Sequence, residues 1–184
     1  MSGFVATTKA ELDRAEIEAI RIYYEGLLTD VIDGLIGFAE LTDFQILKDI
    51  HGDALGGILS WAGQYRVREL SIGVDPSQVT NEVGILVTSL KEAKHNKWFV
   101  PHELALRAHH QITRIHPFVD VNGRISRLYA DVLLACLSPG KPLVINWEPA
   151  DQDKVAYIAA LRHADQAAGD VSELMDLLPP KRIF

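Results

Sequence analysis

The stretch HPFVDVNGRISR, residues 116–127, decides how the rest of the chain is read. It follows an apolar-periodic segment with Leu104, Ala108, Ile112 and Ile115 on one face. It leads into a second, with Ile125, Leu128, Tyr129, Val132, Leu133 and Cys136. That spacing predicts two buried helices joined by a short turn. The first ends at His116, because the residue before Pro117 is pushed out of the helical region. The second opens near Gly123. Most local clusters of polar residues are solvated loops, but one placed between two buried helices points to a site.

The residues of the turn suggest what kind. The first amides of a helix have no intrahelical acceptor, and with the helix dipole they favour anions, phosphate above all. Asn122 and Gly123 tolerate the dihedrals that turn successive amides toward one oxygen, forming a nest. Arg124 and Arg127, three residues apart on one side of the helix, add two planar cationic forks suited to a polyphosphate. Asp120 would repel phosphate unless Mg²⁺ lies between them, and Mg²⁺ takes one or two carboxylates together with phosphate oxygens. His116 supplies a base suited to neutral pH. Phe118 and Ile125 read as core anchors of the loop. Taken singly, each polar residue has a plainer reading: His116 as a helix C-cap, the arginines as surface charges, Asp120 as a turn residue. A transition-metal site built from His109, His110, His116 and Asp120 is a further alternative. It is opposed by the divergence of His109 and His110 around a helix and by the two nearby arginines.

Working outward, Thr8 and Glu11 form a T-x-x-E capping box before an apolar stripe at Ile17, Ile20, Tyr24, Leu27, Leu28, Val31 and Leu35, with a break expected near Gly34–Gly37. Thr42 and Gln45 repeat the box, and Gly52 reads as the stop of that helix. Residues 64–79 mix aromatics, β-branched residues and the turn GVDPS, and predict a short irregular hairpin. A helix follows over roughly 80–97, with Val83, Leu86, Val87 and Leu90 on one face, and Pro101 starts another at its first position. After SPGKP, LVINW is extended. Pro149 starts a helix to about Ala168, and Asp170 caps a last short one through Leu178. The fold class expected is mostly α, with one short β-hairpin.

Composition narrows the class. The chain has 184 residues, 48% hydrophobic and 23% charged, with net charge −7, which fits a globular domain without the overall basic footprint of a nucleic-acid binder. The single cysteine, Cys136, lies in LLACL; it excludes an internal disulfide and reads as a buried small hydrophobe. No apolar run approaches the ~20 residues of a membrane span. MSGFVATTKAELDRAE has no basic segment followed by an apolar one, so the expectation is a cytoplasmic protein without a signal peptide.

The motif resembles the signature of the Fic (Fic/Doc) family, H-x-F-x-[D/E]-[G/A]-N-[G/K]-R-x-x-R, matched here by His116, Phe118, Asp120, Asn122, Gly123, Arg124 and Arg127. SWAGQYR followed by ELSIGVDPSQV is similar to the segment carrying the family's target-positioning flap, and ELALRAHHQITRI to the helix before the motif. The similarity spans roughly residues 40–178. It implies an N-terminal helical extension over 1–39 and a Fic domain over 40–184. TTKAELDRAE together with this core is similar to the subgroup called mobile mystery protein B.

The resemblance implies a mostly helical protein that transfers AMP from ATP to a Ser, Thr or Tyr hydroxyl of a target protein or of itself. His116 would deprotonate the hydroxyl and Asp120 would hold Mg²⁺. Asn122, the amides around Gly123, Arg124 and Arg127 would bind the phosphates. Glu69, Leu70, Ser71 and Ile72 of the flap would clamp the target as an added strand. Where the Doc branch carries lysine and transfers phosphate, this chain carries Gly123, which favours adenylyl transfer; UMP and phosphocholine are donors elsewhere in the family. One residue departs from the pattern. Val121 stands where the family has Gly or Ala, and a β-branched residue is costly at positive φ. That departure supports a second reading, a non-catalytic nucleotide-binding or interaction module on a degenerate Fic core. Many Fic proteins are silenced by a helix carrying [S/T]-x-x-x-E-[G/N], and the partial matches here make Glu11 and Glu25 the inhibitory candidates. Otherwise an antitoxin-like partner would serve, as in toxin–antitoxin pairs.

Overall fold

In the computed structural model, which describes residues 6–183, the chain is built from helices around one central pair. Residues 1–5, the start of the expected extension, and residue 184 lie outside the described residues. Helix α1 (Lys9–Ile32) is opened by the reciprocal bonds of Thr8 and Glu11 and closed before Gly34, which has φ +75°. A single turn, α2 (Phe38–Leu41), leads to α3 (Ile46–Leu55). The Thr42–Gln45 box does not form. Thr42 Oγ1 donates to the Phe38 carbonyl, and Asp43 receives the Gln45 amide instead. Gly52 does not stop α3 either; it lies inside the helix, where a Cβ would meet Gly63 Cα at 3.5 Å, so its small size serves a close backbone approach.

Helices α4 (Val79–Asn96), α5 (Pro101–Ile115) and α6 (Asn122–Leu137) follow. The α5–α6 pair is buried on two sides. Leu104, Ala108, Ile112, Ile125 and Tyr129 face a cluster shared with α1, α3 and α4. Ala105, Leu106, Ala130 and Leu134 face a second cluster, which takes in Tyr157 and Leu161 of α8 (Lys154–Gln166) and Leu174 of α9 (Ser172–Leu177). The single helix expected from Pro149 is two, α7 (Glu148–Gln152) and α8. The interruption is Asp153, whose carboxylate accepts the Ala156 amide and starts the chain afresh.

The small sheet is not where the sequence placed a hairpin. Strands β1 (Leu143–Ile145) and β2 (Pro180–Arg182) pair antiparallel, with Val144 opposite Lys181. Residues 64–75 instead form an irregular loop. Its carbonyls are taken by an arginine side chain, and its Val74 amide bonds the end of α5, so no strand ladder is made. Among the described residues no helix is long and apolar enough to cross a membrane.

Candidate functional site

The α5–α6 junction is held by its own residues. His116 closes α5 in the left-handed region at φ +52°, with its amide on the Ile112 carbonyl. Phe118 is fully buried and stacks on His51 at 3.9 Å, with Tyr65 tilted beside it. The side chain of Asn122, a residue expected to bind phosphate, is engaged within the protein: Oδ1 accepts the Phe118 amide and Nδ2 donates to the Phe118 carbonyl, both at 2.9 Å. With Asn122 2% exposed, its amide group is a staple across the turn, leaving only its backbone for an anion. Val121 takes φ +69° and is 4% exposed in the core. The left-handed turn is therefore made despite the β-branch, and the Val121 carbonyl receives the Arg124 and Ile125 amides at 3.1 Å. Gly123 faces open space.

Burial lowers the His116 pKa. The Thr113 backbone opposes the drop, the Arg66 guanidinium reinforces it, and the Asp120 carboxylate opposes it. The imidazole is therefore in its base form at neutral pH. Asp120 is exposed, with one oxygen on the Val121 amide at 2.7 Å. No group of three or more His, Cys, Asp or Glu side chains able to hold a metal occurs among the described residues. This removes the His-rich alternative: His109 Nε2 meets the Tyr157 hydroxyl at 2.7 Å and His110 Nε2 meets Asp165 at 2.8 Å. A lone exposed carboxylate with one oxygen unengaged suits Mg²⁺ only if phosphate and water complete its shell.

The arginines lie further along α6, in a cleft of about 240 Å³ against α1, lined by Ile17, Tyr24, Leu128, Asp131 and both guanidinium groups. His116 and Asp120 are not among the residues that line this cleft. Each arginine already has a carboxylate. Arg124 meets Glu16 at 2.6 Å, with the Glu16 side chain 3% exposed, and its Nη1 is enclosed and unpaired. Arg127 meets Asp151 at 2.7 Å and lies over the rings of Trp147 and Tyr157. Glu11 and Glu25 reach neither. Glu11 is spent on the Thr7 and Thr8 end of its capping box, and Glu25 pairs with Arg21 on the solvent side of α1. Glu16 went unread in the sequence, although an acid one turn before Ile20 on the buried stripe of α1 signals a partner.

Of the residues expected to form the flap, Glu69, Ser71 and Ile72 are exposed, and Leu70 is partly so. Behind them sits another residue the sequence did not flag. Arg66, 3% exposed, donates to the carbonyls of His116 (2.7 Å), Arg68 (3.2 Å), Ile115 (3.3 Å) and Val74. An arginine next to Tyr65, with Arg68 two residues on, was its only trace in the sequence.

The Fic/DOC family model matches residues 41–134. A protein adenylyltransferase Fic of Aedes aegypti is 34% identical over 110 residues, 56% of this chain but 22% of that protein. A Fido domain-containing protein of Dictyostelium discoideum is 30% identical over 114 residues, 60% of this chain and 76% of that one. The chain therefore spans about a fifth of the insect enzyme's length. In fold it is similar to the BepC effector of Bartonella tribocorum, solved with AMPPNP, at TM-score 0.70 and 16% identity, covering 96% of this chain and 90% of that one. With the signature at the α5–α6 junction and a family match over more than half its length, the chain belongs to the Fic/DOC family.

Proposed function

We propose that the protein is an adenylyltransferase that moves AMP from ATP to a hydroxyl side chain of a target protein or of itself. One observation carries this reading: a neutral-form histidine and the free amides of a helix entrance stand at the two ends of one short turn, fixed by the Asn122 staple. The His116 imidazole takes the proton of a Ser, Thr or Tyr hydroxyl. The freed oxygen attacks the α-phosphorus, the bond from that phosphorus to the bridging oxygen breaks, and pyrophosphate leaves. The Asn122 and Gly123 amides hold the α- and β-phosphates, and Arg124 and Arg127 receive the charge that builds on the leaving group. Asp120 is the residue that would hold Mg²⁺, which when bound neutralises phosphate charge. Residues 69–72 lie along the target chain.

Support comes from relatives named protein adenylyltransferases at about a third identity and from Gly123, which faces open space at the helix entrance. Val121, the residue that favoured a non-catalytic module, adopts the left-handed conformation the turn needs. Before the phosphates reach Arg124 and Arg127, Glu16 and Asp151 must give them up. The carboxylates that restrain the two arginines thus come from this chain. The test is titration of ¹⁵N-labelled protein with Mg-ATP, followed by incubation with a cell extract. Shifts concentrated at Gly123 and Arg124, with AMP found on hydroxyl side chains, are expected. An unmoved Gly123 amide overturns the site.

A further inference from the structure

The geometry points to Arg66 as the residue that positions both the base and the target-binding loop, and this rests on the transfer reading above. A guanidinium has five N–H donors and no acceptor. Here its nitrogens reach four backbone carbonyls from two different elements, and no carboxylate pairs with it among the described residues. Two of those carbonyls, Ile115 and His116, are the open end of α5, where a helix presents partial negative charge and a cation is favoured. The other two, Arg68 and Val74, bracket the loop that carries Glu69–Ile72. The Arg66 amide adds a bond to the Pro117 carbonyl at 2.9 Å, and the Val74 amide one to the Ile115 carbonyl at 3.3 Å.

The loop crosses the base at van der Waals range. Gly73 sits at φ +104°, and a Cβ there would stand 2.6 Å from Arg66 Nη2 and 2.8 Å from His116 Cβ. Arg66, Gly73 and His116 are therefore one three-way contact, and its backbone has no room to slide. The distance between the loop edge and the imidazole is set by the Arg66 side chain together with those two backbone bonds. Among the side chains between Arg66 and Val74, those of Val67, Arg68, Glu69, Ser71 and Ile72 are exposed and add no such constraint. Such a residue touches neither phosphate nor hydroxyl. Its contribution is to hold the attacking oxygen and the base within the narrow range a transfer requires, where a misplacement of about 1 Å can cost about 10²-fold in rate. Nucleotide binding, which depends on the entrance of α6, is outside its reach.

The experiment compares Arg66→Lys, Arg66→Met and Gly73→Ala with the wild-type chain. Helical circular dichroism, ATP-analogue affinity, transfer kinetics and amide hydrogen exchange are read on each. For Arg66→Met, analogue affinity within about threefold of wild type is expected, with kcat down about 10²-fold and KM for the target raised. Arg66→Lys, which keeps the charge and can reach some of the carbonyls, recovers part of kcat. Gly73→Ala reproduces the kcat loss with Arg66 intact. Exchange at the Arg66 and Val74 amides rises in the methionine variant while α4 and α8 stay protected. Equal loss of nucleotide binding and transfer, or loss of protection throughout, would make Arg66 a fold residue only and overturn the inference. If the wild-type chain transfers nothing, the transfer reading fails, and the exchange pattern alone judges the anchoring: unchanged protection at residues 66–74 in Arg66→Met refutes it.

Discussion

Replacing Glu16 by glutamine moves stability and nucleotide affinity in opposite directions. The Glu16 carboxylate is 3% exposed and 2.6 Å from Arg124, whose side chain is 34% exposed. Opposite charges at such range attract by about 4 kcal/mol at 4 Å in an effective dielectric near 20. Desolvation of the acid and the solvent reaching the arginine leave a net of about 1–2 kcal/mol. Glutamine keeps the shape and one acceptor but removes the charge, so Tm falls by roughly 2–8 °C for a domain of this size. The same 1–2 kcal/mol is what phosphate must overcome to claim Arg124. Each 1.4 kcal/mol is tenfold in affinity, so ATP-analogue Kd tightens about 5- to 30-fold. Thermal unfolding and calorimetric titration on the same preparations read both quantities. A variant that is less stable and binds the analogue no better would show that Glu16 does not compete with phosphate, and the restraint drawn from the Glu16–Arg124 pair would be wrong.

Other substitutions probe the turn and the buried histidines. Asn122→Ala leaves the Phe118 amide and carbonyl unpaired in the interior at about 1–3 kcal/mol each, so a marked drop in Tm and weaker nucleotide binding are expected; unchanged unfolding would dismiss the staple. Val121→Gly relieves about 1–2 kcal/mol of left-handed strain and loses about 1.5–3 kcal/mol of side-chain burial. Tm and transfer rate should therefore stay close to wild type, whereas a large gain in rate would mean that valine distorts the nest. Burial holds His51 down at about 4 and His109 at about 3. Both fold in the neutral form, so the stability they contribute is present above the ordinary histidine value and is lost as pH falls from there, by about 1.4 kcal/mol per unit per group. Asp131, pushed up to about 6 by burial, works the other way between 6 and its ordinary range, since the fold favours its protonated form. The two histidines outweigh it. Tm should fall from pH 6.5 to 4, and His109→Gln should flatten the slope; a flat wild-type profile would refute the assignment.

Much of this architecture was legible in the chain because its signals are local. The Thr8–Glu11 box, Pro101 at a helix start and the His116–Pro117 stop each act within a turn of backbone, and each fell where it was read. The hairpin over 64–79 was misread because β-branched residues and a GVDPS turn suit a strand pair locally. The loop's hydrogen bonds are decided by a side chain that binds the end of α5, and no local pattern reports that. The same holds for the arginines. Their spacing placed them on one side of α6, but their carboxylate partners come from Glu16 and Asp151, 108 and 24 residues away in sequence. Asn122 shows a third case: residue type predicted a polar contact correctly in kind, while its burial at 2% decided that the contact is with the protein's own backbone.

The chemistry is tested most directly by incubating the wild-type chain and His116→Ala with ATP labelled at the α-phosphorus or, separately, at the γ-phosphorus, each with Mg²⁺ and a cell extract. Covalent label on protein from the α-position alone, abolished by the substitution while ATP-analogue binding persists, is the expected result. Label from the γ-position, or α-label that survives in His116→Ala, would contradict adenylyl transfer by this histidine.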